Sequence, residues 1–157
     1  MQIDAIDVHD GFLEAEVSCQ VEELYVSPAL AGRMVSVLPE LPHQQCVNSG
    51  HRYFGDEIVG TELPHLLEHV AIELMVCEAR WFSPETDRVY VGNTSWHRGA
   101  DEGAVRRMRV TISFDDDLVA LSALKQASEL IEWGMRGGGS APDVPTLVRA
   151  LHDLRDL

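Results

Sequence analysis

The sequence is short of basic residues, short of cysteine and free of long apolar runs. Lysine and arginine total 12 against 26 acidic residues, which gives a formal net charge of −14. This charge disfavours nucleic acid and anionic membrane surfaces as partners, whereas a cationic or zwitterionic substrate is compatible with it. No apolar run approaches the length of about 20 residues that a membrane-spanning helix needs.

The three cysteines, Cys19, Cys46 and Cys77, are odd in number and widely spaced, and no C-x-x-C pair occurs. This usage predicts free thiols in a reducing compartment. The N-terminus carries Asp4 and Asp7 and has no apolar signal core. We therefore expect a cytoplasmic protein.

The length of 157 residues predicts one domain, 1–157, that is large enough to bury a core without disulfides. Residues 2–8 and 12–19 read as a hairpin, and 88–91 and 104–114 as two later strands. Pairs of strands precede pairs of helices along the chain. This order predicts an α+β fold, a mostly antiparallel sheet with helices packed on one face.

Four helices are predicted from apolar periodicity and capping residues. Ser27 caps a first helix, Thr61 caps a second, and the third spans 118–133 and ends at Gly134. A glycine-rich linker, 134–143, then leads to a C-terminal helix. This linker lacks the Gly-Lys-Ser/Thr ending of a phosphate-binding loop, so we interpret it as a flexible connection.

The second helix carries the motif H-x-x-E-H at His65, Glu68 and His69. The histidines are one turn apart, so both side chains can share a cation, and the leucines of the helix fall on the opposite face. This is the inverted zincin arrangement, in which the pair binds zinc and the glutamate takes a proton from zinc-bound water. The alternative is a solvated polar face, because the motif also occurs by chance. Ile72 and Val76 on the same arc favour coverage by protein.

A catalytic zinc normally has three protein ligands and one water, so a third ligand is required. Glu73 lies two turns beyond His65, about 12 Å along the helix, which is too far to join the pair at one ion. We expect Glu73 to orient His69 or to contact substrate.

Residues 39–60 form the longest irregular stretch, and loops of this length are usually functional or mobile. His43 and Cys46 have ligand-like spacing, although an ordinary polar loop is the favoured interpretation. His51, Arg52 and Tyr53 are candidates for contacting substrate.

The segment H-x-x-E-H-V-A-I-E-L at residues 65–74 resembles the signature of the N-terminal domain of cyanophycin synthetases. The likeness continues weakly through Gly-Asn-Thr at 92–94, a strand, an acidic run and an alanine-rich helix, over roughly residues 60–133. The ATP-grasp and ligase parts of those synthetases do not fit in this length, so we expect a stand-alone domain.

The motif predicts one zinc per chain, and the resemblance, which includes an acidic run at the place of 115–117, favours Asp116 as the third ligand. Helix capping is the competing explanation for these aspartates. If they point away from the second helix, His43 or Cys46 becomes the candidate. The implied substrate is cyanophycin, the aspartate–arginine polymer, cut internally by a metal-dependent amide hydrolase into shorter chains that prime synthesis.

Two alternatives stay open at this point. The same fold could bind or anchor the polymer without catalysis, or act as a small inverzincin-type metallopeptidase on an unrelated peptide. A measurement of the zinc content distinguishes the hydrolase from the non-catalytic binding module. The sequence leaves the oligomeric state open.

Overall fold

The computed structural model describes residues 1–48, 50–97, 99, 101–137, 139–155 and 157, and it leaves the side chains of Asn48 and His51 undescribed. Six strands occur in this part of the chain: β1 (Gln2–Val8), β2 (Phe12–Gln20), β3 (Gln45–Asn48), β4 (His51–Tyr53), β5 (Gly92–Trp96) and β6 (Val105–Ser113). The same part of the chain has four α-helices: α1 (Pro28–Val37), α2 (Leu63–Phe82), α3 (Asp117–Arg136) and α4 (Val144–His152). Each pair of strands is followed by a helix, and α4 follows α3 directly.

One antiparallel sheet, in the order β1-β2-β6-β5, forms the base of the fold. Alternate residues of its central strands are buried, among them Ala15 on β2 and its cross-strand partner Val110 on β6. Such alternation leaves one face for the core and one for solvent. Helices α2 and α3 pack against the sheet, and the predicted α+β class and the N-terminal hairpin are confirmed.

Helix α2 is the centre of the packing. It contacts β5, β6, α3 and α4, and its buried residues include the polar Glu68, His69 and Glu73 as well as the apolar ones. Leu66, Leu67 and Leu74 are completely buried, and each such side chain contributes about 2 kcal/mol through the hydrophobic effect. The motif histidines are therefore carried by the most enclosed helix of the fold.

The helix ends differ in part from the sequence predictions. Ser27 caps α1 as predicted, since its hydroxyl accepts from the Leu30 amide at 3.1 Å. At α2 the N-cap position is Glu62, and the predicted cap, Thr61, contacts a histidine side chain instead. Pro64 lies in the first turn of α2, where proline is tolerated.

The third helix runs through Gly134 to Arg136 and ends at Gly137, which adopts a left-handed conformation with φ of 71°. The predicted end at Gly134 is wrong because that glycine serves packing. A Cβ there would lie 2.6 Å from Leu30 Cδ1 and 2.7 Å from Met34 Cε, so its absence lets α1 approach α3. The connection to α4 is correspondingly shorter than 134–143, and Gly138 within it lies outside the described residues.

The strand predicted at 88–91 is also misplaced. Pairing with β6 is made by Gly92–Trp96, where no strand was predicted. These residues lack apolar alternation, so the pattern did not reveal a strand. The irregular stretch 39–60 likewise contains the β3–β4 hairpin and two short 3₁₀ turns, Leu41–His43 and Phe54–Asp56.

None of the helices in the described part of the chain combines the length and the hydropathy that crossing a bilayer requires.

A buried ion-pair network ties the C-terminal segment to α2. Glu78 is fully buried, and its carboxylate accepts from Arg155 Nε at 2.8 Å and from Arg155 Nη2 at 2.5 Å. Arg155 also donates to Asp115 at 2.8 Å, and His152 lies 3.1 Å from Glu78. Burial opposes ionisation of Glu78, but the hydrogen bonds from Arg155 and His152 outweigh it and lower the pKa of this carboxyl.

Replacement of Arg155 by methionine should destabilise the protein by about 3 kcal/mol, because it leaves the buried Glu78 charge without its main partner. Chemical denaturation followed by circular dichroism measures this loss. Arg136→Met is the matched control. Its pair with Glu132 is exposed, so it should cost less than about 0.5 kcal/mol. Equal effects of the two substitutions would contradict a structural role for the network.

Candidate metal centre

His65 and His69 lie one turn apart near the start of α2, with their Nε2 atoms 3.2 Å from each other. Both line a cavity of about 850 Å³ between α2, the β3 segment and β5. His69 is buried and His65 is half-buried. The two rings therefore present their Nε2 atoms to one point at the wall of an accessible cleft.

The tautomer of His69 is fixed by Gln44. The amide nitrogen of Gln44 donates to the His69 carbonyl oxygen and to Glu73 Oε2, both at 2.9 Å. The amide oxygen of Gln44 is thus left to accept from His69 Nδ1, at 2.7 Å. With the proton on Nδ1, His69 Nε2 carries a lone pair, as a metal-binding imidazole requires.

Thr61 fixes the tautomer of His65. Its hydroxyl lies 2.8 Å from His65 Nδ1 and 3.4 Å from Glu62 Oε2, so it accepts from the ring and donates to the carboxylate. Burial lowers the pKa of His69 to about 3 and lowers that of His65 as well, so both rings are neutral near pH 7. Two lone pairs then face each other at 3.2 Å, an arrangement that a shared cation relieves.

Cys46 on β3 completes a group of three donors. Its Sγ lies 3.4 Å from His65 Nε2, and the sulfur and the two nitrogens all lie within 4.8 Å of one another. Around a tetrahedral zinc, bond lengths imply about 3.3 Å between two nitrogens and about 3.6 Å between nitrogen and sulfur. The separations from His65 Nε2 to His69 Nε2, 3.2 Å, and to Cys46 Sγ, 3.4 Å, are close to these values, and the third separation lies within 4.8 Å. Thiolate and imidazole are ligands that zinc prefers. The donor set fits a zinc ion.

The Cys46 thiol donates to Glu57 Oε1 at 2.6 Å. Burial, together with the hydrogen bond and charge of Glu57, raises the pKa of the Cys46 thiol to about 12. The sulfur is therefore a thiol in the absence of a cation, and metal binding at neutral pH must release its proton. The Glu57 carboxylate, which already accepts the thiol hydrogen bond, is positioned to receive that proton.

Glu68 lies beside the three donors without belonging to their group. Its Oε2 accepts from the Thr94 hydroxyl at 2.5 Å, and its Oε1 lies 3.9 Å from His69 Nε2. Burial raises the pKa of Glu68 to about 7, although the Thr94 hydrogen bond lowers it. A Cβ at Gly92 would lie 2.4 Å from Glu68 Oε1, so this strand can approach the carboxylate only through a glycine.

Phe54 supports both rings. It stacks on His69, with ring centroids 3.9 Å apart and planes 15° apart, and it meets His65 edge-on with centroids 5.3 Å apart. An aromatic ring in this position restricts rotation of the imidazoles and keeps water from their covered side.

The structure does not bring Asp116, the predicted third ligand, to the histidines. Its Oδ1 accepts from the Val119 amide at 3.0 Å and caps α3, and it is not among the described residues that line the cavity. A capping carboxylate is directed to the first turn of its own helix, so the same side chain is not available across the sheet. Among the described residues, Cys46 rather than Asp116 lies in a group with the two histidines.

The other predicted residues separate into two sets. Glu73 reaches His69 through Gln44, as expected of a residue that orients a ligand. Arg52 and Tyr53 are exposed on β4 and do not line the cavity in the part of the chain that the structure describes. The His51 side chain lies outside the described residues.

Several residues that form the site have no strong local signal in the sequence. Gln44, Glu57 and Phe54 come from the stretch predicted as irregular. Two weak signals existed: the Gly-Asn-Thr element of the resemblance, which ends at Thr94, and the ligand-like spacing of His43 and Cys46, of which Cys46 lies in the donor group.

A comparison with protein families supports the resemblance noted from the sequence. The family model described as cyanophycin synthase-like N-terminal domain matches residues 13–134, which include Cys46, α2 and β5. No curated protein sequence matches the chain.

Cys46→Ser should lower the affinity for zinc by about 100-fold or more. Loss of a residue that only orients a metal ligand already lowers metal affinity by about 10- to 100-fold. Competition with a chromophoric chelator measures this affinity. Cys19→Ser makes the same change at a buried position on β2, outside the donor group, and should retain zinc. Wild-type affinity in Cys46→Ser would exclude the sulfur from the ligand set.

Proposed function

This chain belongs to the cyanophycin synthase-like N-terminal domain family, and on that basis we propose that it is a zinc-dependent amide hydrolase. Its substrate would be a cyanophycin-like polymer of aspartate and arginine, cut internally to give shorter chains. The observation that carries the proposal is the group of Cys46, His65 and His69 beside a buried carboxylate, Glu68.

Three protein ligands are the number found in catalytic zinc sites, in which the fourth position is kept for water or substrate. A zinc ion at this site would supply Lewis acidity and lower the pKa of water to about 7. Gln44 and Thr61 hold the two imidazoles in the tautomer that such an ion needs. Hydrogen bonds within the protein therefore orient the two imidazole donors before any ion binds.

Glu68 is the proposed general base. Its Oε2 is held by Thr94, which leaves Oε1 on the side of His69 to accept a proton from the attacking water. A carboxyl with a pKa of about 7 is suited to accept that proton and to return it to the leaving amine at neutral pH. Enclosure by α2 and β5 both raises this pKa and aims the carboxylate.

The cavity carries charges of both signs at its rim. Glu40 and Glu62 line it together with Arg80 and Arg88. Each unit of an aspartate–arginine polymer carries a guanidinium and a carboxylate, so a rim of mixed charge complements it. Its volume of about 850 Å³ lies within the range of ordinary ligand sites.

A non-catalytic polymer-binding module is the second candidate. One observation favours it: the Cys46 thiol already donates a hydrogen bond to Glu57, so this donor has a partner without an ion. In that case the cavity would hold the polymer and the histidines would serve only the structure. Metal content and cleavage distinguish the two functions.

Glu68→Gln keeps the shape of the side chain and removes its basicity, so hydrolysis should fall by about 10²- to 10⁴-fold. Zinc content and affinity for the polymer should stay close to wild type. The assay is release of shorter fragments from cyanophycin, with chelation and zinc add-back. Glu129→Gln, an exposed position on α3, is the matched control and should cleave normally.

Unchanged cleavage by Glu68→Gln would end the proposed role of this carboxylate, even with zinc present. Binding of polymer without cleavage by the zinc-loaded wild type would favour the module.

A further inference from the structure

Strand β5 is the outer strand of the sheet, so one of its two edges has no partner strand among the residues that the structure describes. Residues 88–94 and Trp96 line the cavity, and Gln44, Gln45 and Val47 line it as well. The open edge of β5 is therefore a wall of the same cleft into which the histidines project.

The register shows which backbone groups that edge presents. The Val91 carbonyl accepts from the Ser113 amide at 2.8 Å, and the His97 amide donates to the Arg107 carbonyl at 3.1 Å. Hydrogen-bonded residues alternate along an antiparallel pair, so Asn93 and Ser95 also face β6. The N–H and C=O groups of the residues between them point to the open edge: Gly92, Thr94 and Trp96.

We propose that the polymer binds to this edge as an additional β-strand, with its main chain extended along Gly92–Trp96. The inference rests on the proposed function, and it identifies the feature of the substrate that is recognised: a continuous polyamide backbone. Recognition by strand addition uses main-chain hydrogen bonds for affinity and leaves alternate side groups for specificity.

The position of β5 relative to Glu68 supports this mode of binding. Gly92 and Thr94 both contact the Glu68 side chain, one through a close approach and the other through a hydrogen bond. A backbone hydrogen-bonded beside these residues runs past the carboxylate and the two imidazoles. Main-chain hydrogen bonds alone would therefore place one amide carbonyl of the polymer next to the donor group, and no contact to the polymer's side groups is needed.

The period of a strand also fits the chemistry of the polymer. Side groups of an extended chain project alternately to opposite sides. Every second arginine-bearing group would then point towards the charged rim of the cavity, which includes Glu40 and Arg80. The intervening groups would point away from it, so the cleft needs to match only half of them.

Amide hydrogen exchange tests this proposal residue by residue. The probe is a synthetic decamer of aspartate with arginine linked to each side-chain carboxyl, added to zinc-loaded Glu68→Gln so that it is not cut. Exchange at Gly92, Thr94 and Trp96 should slow by about tenfold or more at saturation, since each N–H gains a hydrogen bond. Asn93 and Ser95, which already face β6, are the internal controls and should not change.

The zinc-stripped wild type provides a second sample if Glu68→Gln proves unstable. Binding of the decamer without slower exchange at Gly92, Thr94 and Trp96 would overturn the proposal, and so would a decamer that does not bind. Protection that appears without decamer and grows with protein concentration would also overturn it, because β5 would then pair with a second copy.

Cleavage by the zinc-loaded wild type is measured separately on the same decamer. Cleavage without protection overturns strand addition and leaves the hydrolase intact. Protection without cleavage supports strand addition and removes the hydrolase.

Discussion

Two neutral imidazoles that point their lone pairs at each other across 3.2 Å are the constraint on which the rest of the site depends. This arrangement exists because α2 is buried on nearly all sides, which disfavours protonation of either ring. Gln44 and Thr61 hold the opposite ring nitrogens, and Phe54 covers the ring faces. A cation shared by the Nε2 atoms relieves the repulsion that the fold imposes.

The same burial gives Glu68 its distinct role. A carboxylate enclosed between α2 and β5 is costly to ionise, so its pKa rises to about 7, whereas the Glu78 carboxylate on the same helix is held ionised by Arg155. One helix thus carries a proton acceptor for chemistry and a buried charge for stability. The difference arises from the partners that each carboxylate meets.

The sequence predicts what is local and periodic. The α+β class, the N-terminal hairpin and the helix bearing His65 and His69 follow from alternation, helical spacing and capping. Cys46 was only a secondary candidate from the sequence, because it reaches the histidines only after the hairpin folds back over α2, a long-range contact without a local pattern. Asp116 was a plausible ligand by position, but its carboxylate is used by its own helix. Strand β5 escaped prediction because its polar residues serve the cleft.

The set of atoms that binds zinc can be measured by X-ray absorption at the zinc edge of the zinc-loaded protein. We expect one sulfur at about 2.3 Å and two imidazole nitrogens at about 2.0 Å, with a light atom in the fourth position. A shell without sulfur would contradict the assignment of Cys46. A shell without imidazole would contradict the metal centre itself.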